Sequence, residues 1–124
     1  MKHIKQAIEA FVKGGDTNDL NLLENVVHPQ YQNIQDGLFE EKGIYIFSKT
    51  DYLNLIAKKT FGGSPRTIRY ESIEQSGNIA IAKVALESHY LLFSSTIICV
   101  CEGNNWKVIG NIPVVKVKES VNTA

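Results

Sequence analysis

The side chains that can perform acid–base or nucleophilic chemistry are few in this sequence and widely separated. The three histidines, His3, His28 and His89, lie in different segments and show no H-x-H or H-x-x-x-H spacing of the kind that holds a metal ion. No G-x-S-x-G sequence marks a serine nucleophile. Asp36 is an acid–base candidate, since a single positioned carboxylate can transfer a proton. Asp36-Gly37 is also an ordinary turn dipeptide, so both interpretations of Asp36 stay open.

The two cysteines, Cys99 and Cys101, are two residues apart and would point to the same face of a strand. Their Cα atoms would then lie roughly 6.5–7 Å apart, at the limit of what a disulfide spans. We therefore predict free, buried thiols in a reducing compartment. A C-x-C pair without His or Cys at metal-binding spacing does not predict a metal, and we predict no cofactor.

Composition excludes several classes of protein. The chain has 124 residues, of which 44% are apolar and 21% charged, as expected for one globular domain. Its 13 basic and 13 acidic residues give a formal net charge of zero, which argues against nucleic acid and membrane partners. The N-terminal segment has no apolar signal core, and no run approaches the roughly 18 apolar residues of a membrane span. We predict a cytoplasmic location.

Two helices are predicted at the start of the chain. Residues 3–13 place apolar side chains at helical spacing, and Gly14-Gly15 is expected to stop this helix. The second helix has Asp16 or Thr17 as its predicted cap. His28-Pro29 should end it, because the residue before proline is disfavoured in a helix.

The middle of the chain predicts two short strands and a third helix. Tyr31–Gln35 alternates weakly before the Asp36-Gly37 turn, which suggests a strand at the edge of a sheet, and Gly43–Phe47 is a second β run. Ser48–Asp51 has the form of a capping box, and the helix it opens should extend to about Lys59. A loop rich in glycine, serine and proline then follows over residues 60–66.

The second half of the chain predicts four consecutive strands joined by short turns, which must pair antiparallel. Helices first and strands last indicate an α+β fold. In the last strand, Trp106, Val108, Ile112 and Val114 are predicted to share a face, with a bulge or edge marked by Gly110 or Pro113. The four predicted strands are Thr67–Gln75, Ile79–Tyr90, Leu91–Glu102 and Trp106–Val117.

Several of these features occur in an order known from one superfamily. They are a first helix ending at Gly14-Gly15-Asp16, the entry His28-Pro29-Gln30-Tyr31 with its Asp36-Gly37 turn, the strand Gly77–Val84 and the closing Asn105–Ile109. With them the chain resembles the nuclear transport factor 2-like (NTF2-like), or cystatin-like cone, superfamily. Within it, Ser48–Tyr52 and Lys59–Gly63 look like the branch labelled "putative lumazine-binding".

The resemblance implies helices packed in the concave face of a strongly curved, mixed or antiparallel sheet, a cone-shaped α+β barrel. It implies one domain over residues 1–118, followed by a polar tail over residues 119–124. Many members are homodimers joined through the outer sheet face. On the predicted strand Ile79–Tyr90, the residues Lys83, Glu87 and His89 share a face with Ile79, Ile81 and Ala85, which suits such a contact.

The superfamily also contains enzymes. Compared with ketosteroid isomerase, Asp36 lies at the position of the catalytic base, but Ile8 stands where the isomerase has its oxyanion-binding tyrosine. No aspartate follows Asp51, so the second oxyanion donor is missing as well, which argues against an isomerase. A SnoaL-like cyclase, isomerase or dehydratase that uses Asp36 alone stays an alternative.

We therefore predict a small-molecule-binding domain with an apolar pocket, an unknown ligand and no strong catalytic activity. A protein-interaction module whose pocket is filled by side chains is a further alternative, since each aromatic residue can equally be core. The predicted pocket wall comprises Phe11, Ile34, Tyr52, Phe61, Tyr70, Leu86 and Trp106, with Tyr31, Gln35, Asp36 and Ser88 as its polar groups.

Overall fold

Three helices lie against one face of an open, six-stranded sheet in the computed structural model, which describes residues 1–118. The strand order is β2-β1-β6-β5-β4-β3, with β1 and β6 parallel and every other neighbouring pair antiparallel. This confirms the predicted α+β class, while the predicted tail over residues 119–124 lies outside the described residues. The elements are α1 (Lys2–Asp16), α2 (Leu20–Val26), β1 (Val27–Leu38), β2 (Glu41–Ser48), α3 (Lys49–Ala57), β3 (Thr67–Ser76), β4 (Ile79–Glu87), β5 (Leu91–Glu102) and β6 (Asn105–Val117).

The hydrophobic core fills the space between the helices and the sheet face that they cover, which we call the concave face, and the opposite face is called the convex face. On β4, burial alternates as predicted, with Ala80, Ala82, Val84 and Leu86 buried and their neighbours on the convex face half-buried or exposed. Burying one large aliphatic side chain contributes roughly 1.5–3 kcal/mol. The helix side of the core is formed by Ile4, Ala7, Ile8, Phe11, Val12, Leu23, Tyr52 and Ile56.

The sequence predicts that the first helix stops at its two glycines, but in the structure it does not. It continues to Asp16, and both glycines are buried within it. A Cβ at Gly14 would lie 2.6 Å from side-chain atoms of Leu23 on α2, so glycine is needed for the two helices to pack this closely. The cap of α2 is Asp19, whose Oδ1 accepts from the Leu22 amide at 3.1 Å, and not Asp16 or Thr17.

The strand β1 is longer than predicted and is not at an edge of the sheet. It pairs with β2 on one side and, in parallel, with β6 on the other. Asp36 still pairs with Ile44, and the register shifts between Asp36 and Leu38, where Gly37 has a φ of +92°. Gly37 therefore lies opposite a β-bulge whose additional residue is on β2, between Glu41 and Ile44, and Asp36-Gly37 is not the turn that joins β1 to β2.

A bulge also reverses the side chains of β6 partway along the strand. Cys99 pairs with Val108 and Ile98 with Gly110, so Ile109 is the additional residue. Val108 is buried before the bulge, whereas Ile112 and Val114 are exposed after it. The predicted common face of these residues is therefore wrong, although the predicted bulge near Gly110 is present. Cys99 and Cys101 are free thiols, the first buried and the second half-buried.

Candidate functional site

A row of amide side chains crosses the concave face where β1 and β6 run side by side. Asn33 and Asn111 are register partners, and the Asn111 Nδ2 donates to Asn33 Oδ1 at 3.3 Å. Asn33 Nδ2 donates to Gln35 Oε1 at 2.7 Å, and Gln35 Nε2 donates to the Gly37 carbonyl at 3.0 Å. We call Asn33, Gln35 and Asn111 the amide ladder.

One atom of the amide ladder lacks a partner. The Asn111 Oδ1 is buried and accepts no hydrogen bond from any group in residues 1–118. By contrast, Asn33 Oδ1 accepts both from Asn111 and from the Tyr31 hydroxyl, the latter at a long 3.5 Å. A buried carbonyl oxygen without a donor costs roughly 1–3 kcal/mol, so such atoms call for an explanation.

A cluster of four aromatic rings, Phe11, Tyr31, Tyr52 and Phe61, adjoins the amide ladder. Ring centroids lie 5.8 Å apart for Phe11–Tyr31, 5.7 Å for Phe11–Tyr52, 5.4 Å for Tyr31–Tyr52 and 6.4 Å for Tyr52–Phe61. These are ordinary separations for attractive aromatic pairs. Tyr31 joins the two groups, because its ring packs in the cluster and its hydroxyl contacts Asn33.

Burial keeps the two tyrosines of this cluster protonated. It raises the pKa of Tyr31 well above the usual value, the neighbouring Tyr52 adds to the shift, and the nearby Asn111 amide partly offsets it. Burial likewise raises the pKa of Tyr52 to about 12, with Arg66 opposing the shift and Asp16 adding to it. Both side chains therefore act as neutral hydroxyl groups near pH 7 and not as bases.

The loop that carries Phe61 is held against the end of α1. Asn18 Nδ2 donates to the carbonyls of Ile56 at 2.9 Å and Phe61 at 3.1 Å. The Gly63 amide donates to the Gly15 carbonyl at 3.2 Å. These bonds fix Phe61 beside the aromatic cluster.

An ion pair fixes the same end of the molecule. Arg66 Nε donates to Asp16 Oδ1 at 2.6 Å and the Arg66 amide donates to Asp16 Oδ2 at 2.9 Å, with both side chains largely buried. The Arg66 guanidinium also lies 4.9 Å from the centre of the Phe93 ring. Because the two charges neutralise each other, this ion pair adds no net charge to this end of the concave face.

The structure brings together only some of the predicted pocket residues. Phe11, Tyr31, Tyr52, Phe61 and Gln35 adjoin one another as described, and Leu86 is buried in the same core. Ser88 uses its hydroxyl within the β4–β5 turn, where it accepts from the Leu91 amide at 3.0 Å.

Four predicted site residues lie elsewhere. Tyr70 contacts α1, where its hydroxyl lies 3.4 Å from Glu9 Oε1, and Trp106 lines a surface groove. Ile34 and Asp36 alternate with the inward-facing residues of β1 and so lie on the convex face, where Asp36 is exposed. The structure thus does not bring Asp36 to the amide ladder.

Sequence reasoning missed Asn33 and Asn111. Asn33 follows Tyr31 by two residues and precedes Gln35 by two, so strand alternation alone places it on their face. Sequence alternation could not place the Asn111 side chain, because the bulge at Ile109 reverses the alternation of inward and outward side chains along β6.

Two depressions occur on the surface away from the amide ladder. One is an open cleft of about 750 Å³, lined in part by His28 and Glu102, whose Nε2 and Oε1 atoms are 2.5 Å apart. The Gln30 amide donates to His28 Nδ1 at 3.0 Å, so both ring nitrogens are engaged. The other, of about 290 Å³, lies between α1, α2 and the β5–β6 turn.

The part of the chain that the structure describes contains neither a metal-binding cluster nor a membrane-spanning helix. Within residues 1–118, no three His, Cys, Asp or Glu side chains group closely enough to hold a metal ion. No helix in the same range is long and apolar enough to cross a membrane.

Comparison with known proteins gives a family and a fold. A family model described as "Putative lumazine-binding" matches residues 1–112. No curated protein sequence matches the chain.

Many solved structures are similar. An NTF2-like protein of unknown function from Silicibacter pomeroyi has a TM-score of 0.78 at 12% identity, over 94% of each chain. One from Shewanella baltica has a TM-score of 0.76 at 15% identity, over 96% of this chain and 94% of that one. An NTF2-like superfamily protein from Salmonella enterica has a TM-score of 0.71 at 14% identity, over 99% and 95% of the two chains. At these identities the likeness concerns the fold alone.

Proposed function

The chain belongs to the family described as "Putative lumazine-binding", and from this premise we propose that its concave face binds a small, uncharged, planar molecule at the amide ladder. The observation that carries the proposal is the buried Asn111 Oδ1, which accepts no hydrogen bond from residues 1–118. A ligand N–H or O–H group directed at this oxygen would remove the cost of leaving it unpaired.

The neighbouring groups favour this kind of ligand. Phe61, the half-buried ring of the aromatic cluster, supplies apolar surface, and the amide ladder supplies both donors and acceptors, a combination that is typical of small-molecule sites. The tyrosines are neutral and the Arg66–Asp16 pair is internally neutralised, so neither supplies a net charge that would select an ion. Lumazine is a flat pteridine-dione with both N–H and C=O groups, and it represents this chemical class.

Binding of heterocycles to the purified protein tests the proposal. We expect saturable binding of lumazine or pterin by isothermal titration calorimetry, and a loss of at least roughly tenfold in affinity in Asn111→Leu. Asn54→Leu, which changes an exposed amide on α3, is the matched control and should bind like the wild type. Equal binding by Asn111→Leu and wild type would refute the role of the amide ladder. Absence of binding by any heterocycle would favour an interaction module with a filled core.

The acid–base alternative receives less support from the geometry. Asp36 is exposed on the convex face, whereas the amide ladder and aromatic cluster occupy the concave one. A SnoaL-like reaction at Asp36 would therefore need substrate to reach the opposite side of β1. The proposed function is binding without strong catalysis.

The proposal includes pairing of two copies through the convex face of the sheet. Ile79, Ile81, Ile112 and Val114 are all substantially exposed there, and exposed apolar groups of this kind are typical of protein contacts. With a formal net charge of zero, two copies do not repel each other. A cytoplasmic location is also part of the proposal, because Cys99 and Cys101 are free thiols.

A further inference from the structure

The groove between α1, α2 and the β5–β6 turn has a lining unlike that of the concave face. Its polar side chains are His3, Gln6, Asn25, Asn104 and Asn105, and Trp106 supplies its aromatic surface. We propose that this groove is a second binding site, separate from the amide ladder, for a neutral sugar or cyclic polyol. The inference does not depend on the proposed function.

Two amides of the groove present complementary groups to a hydroxyl. The Gln6 Oε1 is engaged by His3 Nδ1 at 3.2 Å, and this leaves the Gln6 amino group to donate outward. Asn25 Nδ2 donates to the Asn21 carbonyl at 3.0 Å, and this leaves Asn25 Oδ1 to accept. A hydroxyl group is at once a donor and an acceptor, so one hydroxyl matches such a pair of amide groups.

The charge of the lining excludes other ligand classes. Among the described residues that line the groove there is no Asp, Glu, Lys or Arg. A phosphate or carboxylate would find no lysine or arginine partner, and an ammonium group would find no carboxylate. A purely apolar ligand would leave the amides desolvated and unpaired, which is unfavourable.

The apolar part of the groove suits the ring of a sugar. Trp106 is half-buried, packing against the core and also lining the groove, and the small side chains Ala7 and Ala10 leave room beside it. The C–H face of a sugar ring is apolar and packs on aromatic surface, while its hydroxyls point outward to polar groups. The volume of about 290 Å³ is at the small end of ligand sites, for which roughly 300–1,000 Å³ is usual, and so fits a mono- or disaccharide.

Trp106 gives a direct readout, because it is the only tryptophan in the sequence. The experiment titrates the full-length protein with glucose, galactose, N-acetylglucosamine, trehalose and myo-inositol while following tryptophan fluorescence. We expect a saturable change with at least one of these probes. Gln6→Met and Asn25→Leu should each weaken that response by roughly five- to tenfold.

Control variants separate this site from the amide ladder. Asn54→Leu and Asn111→Leu should leave the sugar response unchanged, since neither residue lines the groove. A response to glucose 6-phosphate or glucosamine without one to any neutral probe would overturn the assigned ligand class. No saturable response, or one that Gln6→Met and Asn25→Leu both leave intact, would overturn the site. Heterocycle binding that depends on Asn111 can succeed or fail independently of either result.

Discussion

Asn33 and Asn111 face each other in register, but replacing them should have unequal effects on stability. Asn33→Leu removes the partner of the Tyr31 hydroxyl, of Asn111 Nδ2 and of Gln35 Oε1, so we expect the free energy of unfolding to fall by roughly 3 kcal/mol. Asn111→Leu removes an oxygen that is already unpaired, and Asn33 keeps its bond to Tyr31. We expect a loss under about 1 kcal/mol, measured by urea unfolding followed by circular dichroism.

The comparison is informative because the two substitutions are chemically identical. Both replace an asparagine by leucine on the same face of neighbouring strands. If Asn111→Leu proved as destabilising as Asn33→Leu, the Asn111 Oδ1 would have a donor in the protein, and the argument for a ligand at this atom would fail.

Tyr52 should make the stability of the protein fall at alkaline pH. Burial raises its pKa from 10.0 to about 12, so the unfolded chain loses the phenolic proton first as the pH rises. The contribution of this pKa shift to the free energy of unfolding is fully present below pH 10.0. It is lost as the pH rises from 10.0 to about 12, and the loss is on the order of 2 kcal/mol.

Urea unfolding at a series of pH values checks this prediction against the variant Tyr52→Phe. The phenylalanine variant should lose less stability than the wild type across this range. A smaller loss should remain in the variant, because the pKa of Tyr31 is raised as well. Identical slopes for the two proteins above pH 10 would contradict the assignment of the shift to Tyr52.

At the scale of elements, the contact between the Phe61 loop and α1 depends on Gly62. Its φ is +81°, and a Cβ at this position would lie 2.1 Å from the Gly15 carbonyl oxygen. Gly77 also has a positive φ, of +59°, but a Cβ there would meet nothing within 4 Å. We expect Gly77→Ala to cost roughly 1 kcal/mol for backbone strain alone, and Gly62→Ala more than about 3 kcal/mol because the loop must also move.

Thermal and urea unfolding of the two alanine variants distinguish these contributions. Gly77→Ala serves as the matched control, since it imposes a similar backbone conformation without the steric contact. Equal losses in the two variants would mean that the Phe61 loop is not held closely against α1.

Local signals in the sequence were sufficient to predict some helices and strands correctly. The capping box of α3 was predicted because both of its hydrogen bonds join residues three apart, Ser48 and Asp51, and the structure contains both bonds. The two faces of β4 were predicted because that strand has no bulge. Gly14-Gly15 was misread as a helix end, since its cause is the close approach of Leu23, a contact that no local pattern contains.

The amide ladder forms by pairing of residues that are far apart in the sequence, so local sequence patterns could not predict most of it. Asn33 and Asn111 are 78 residues apart in sequence and meet only because β1 and β6 run parallel. The bulge at Ile109 interrupts the alternation of β6, on which sequence reasoning about Asn111 depends. The aromatic cluster was more accessible to prediction, because large apolar residues on predicted inward faces usually join one core.

At the scale of the whole molecule, the convex face of the sheet carries several exposed apolar side chains. Ile81 on β4 and Ile112 on β6 are exposed to 43% and 41%, and they lie on either side of β5. A sheet face with exposed apolar side chains is a candidate interface, and two copies of a chain most often pair by a two-fold axis that uses the same surface twice.

Substitution on this face should convert the proposed homodimer to a monomer without unfolding it. In the double variant Ile81→Lys/Ile112→Lys, a charge would have to be buried at the interface, so we expect the mass from size-exclusion chromatography with light scattering to fall from twice the chain mass to once. Leu20→Lys on α2 is the matched control, because Leu20 is also 41% exposed but lies on the helix side of the sheet, and it should remain dimeric. All three residues are exposed in one chain, so none of the substitutions should lower its unfolding free energy by more than roughly 0.5 kcal/mol. A monomeric wild type, or a double variant that stays dimeric, would show that two copies do not pair through this face.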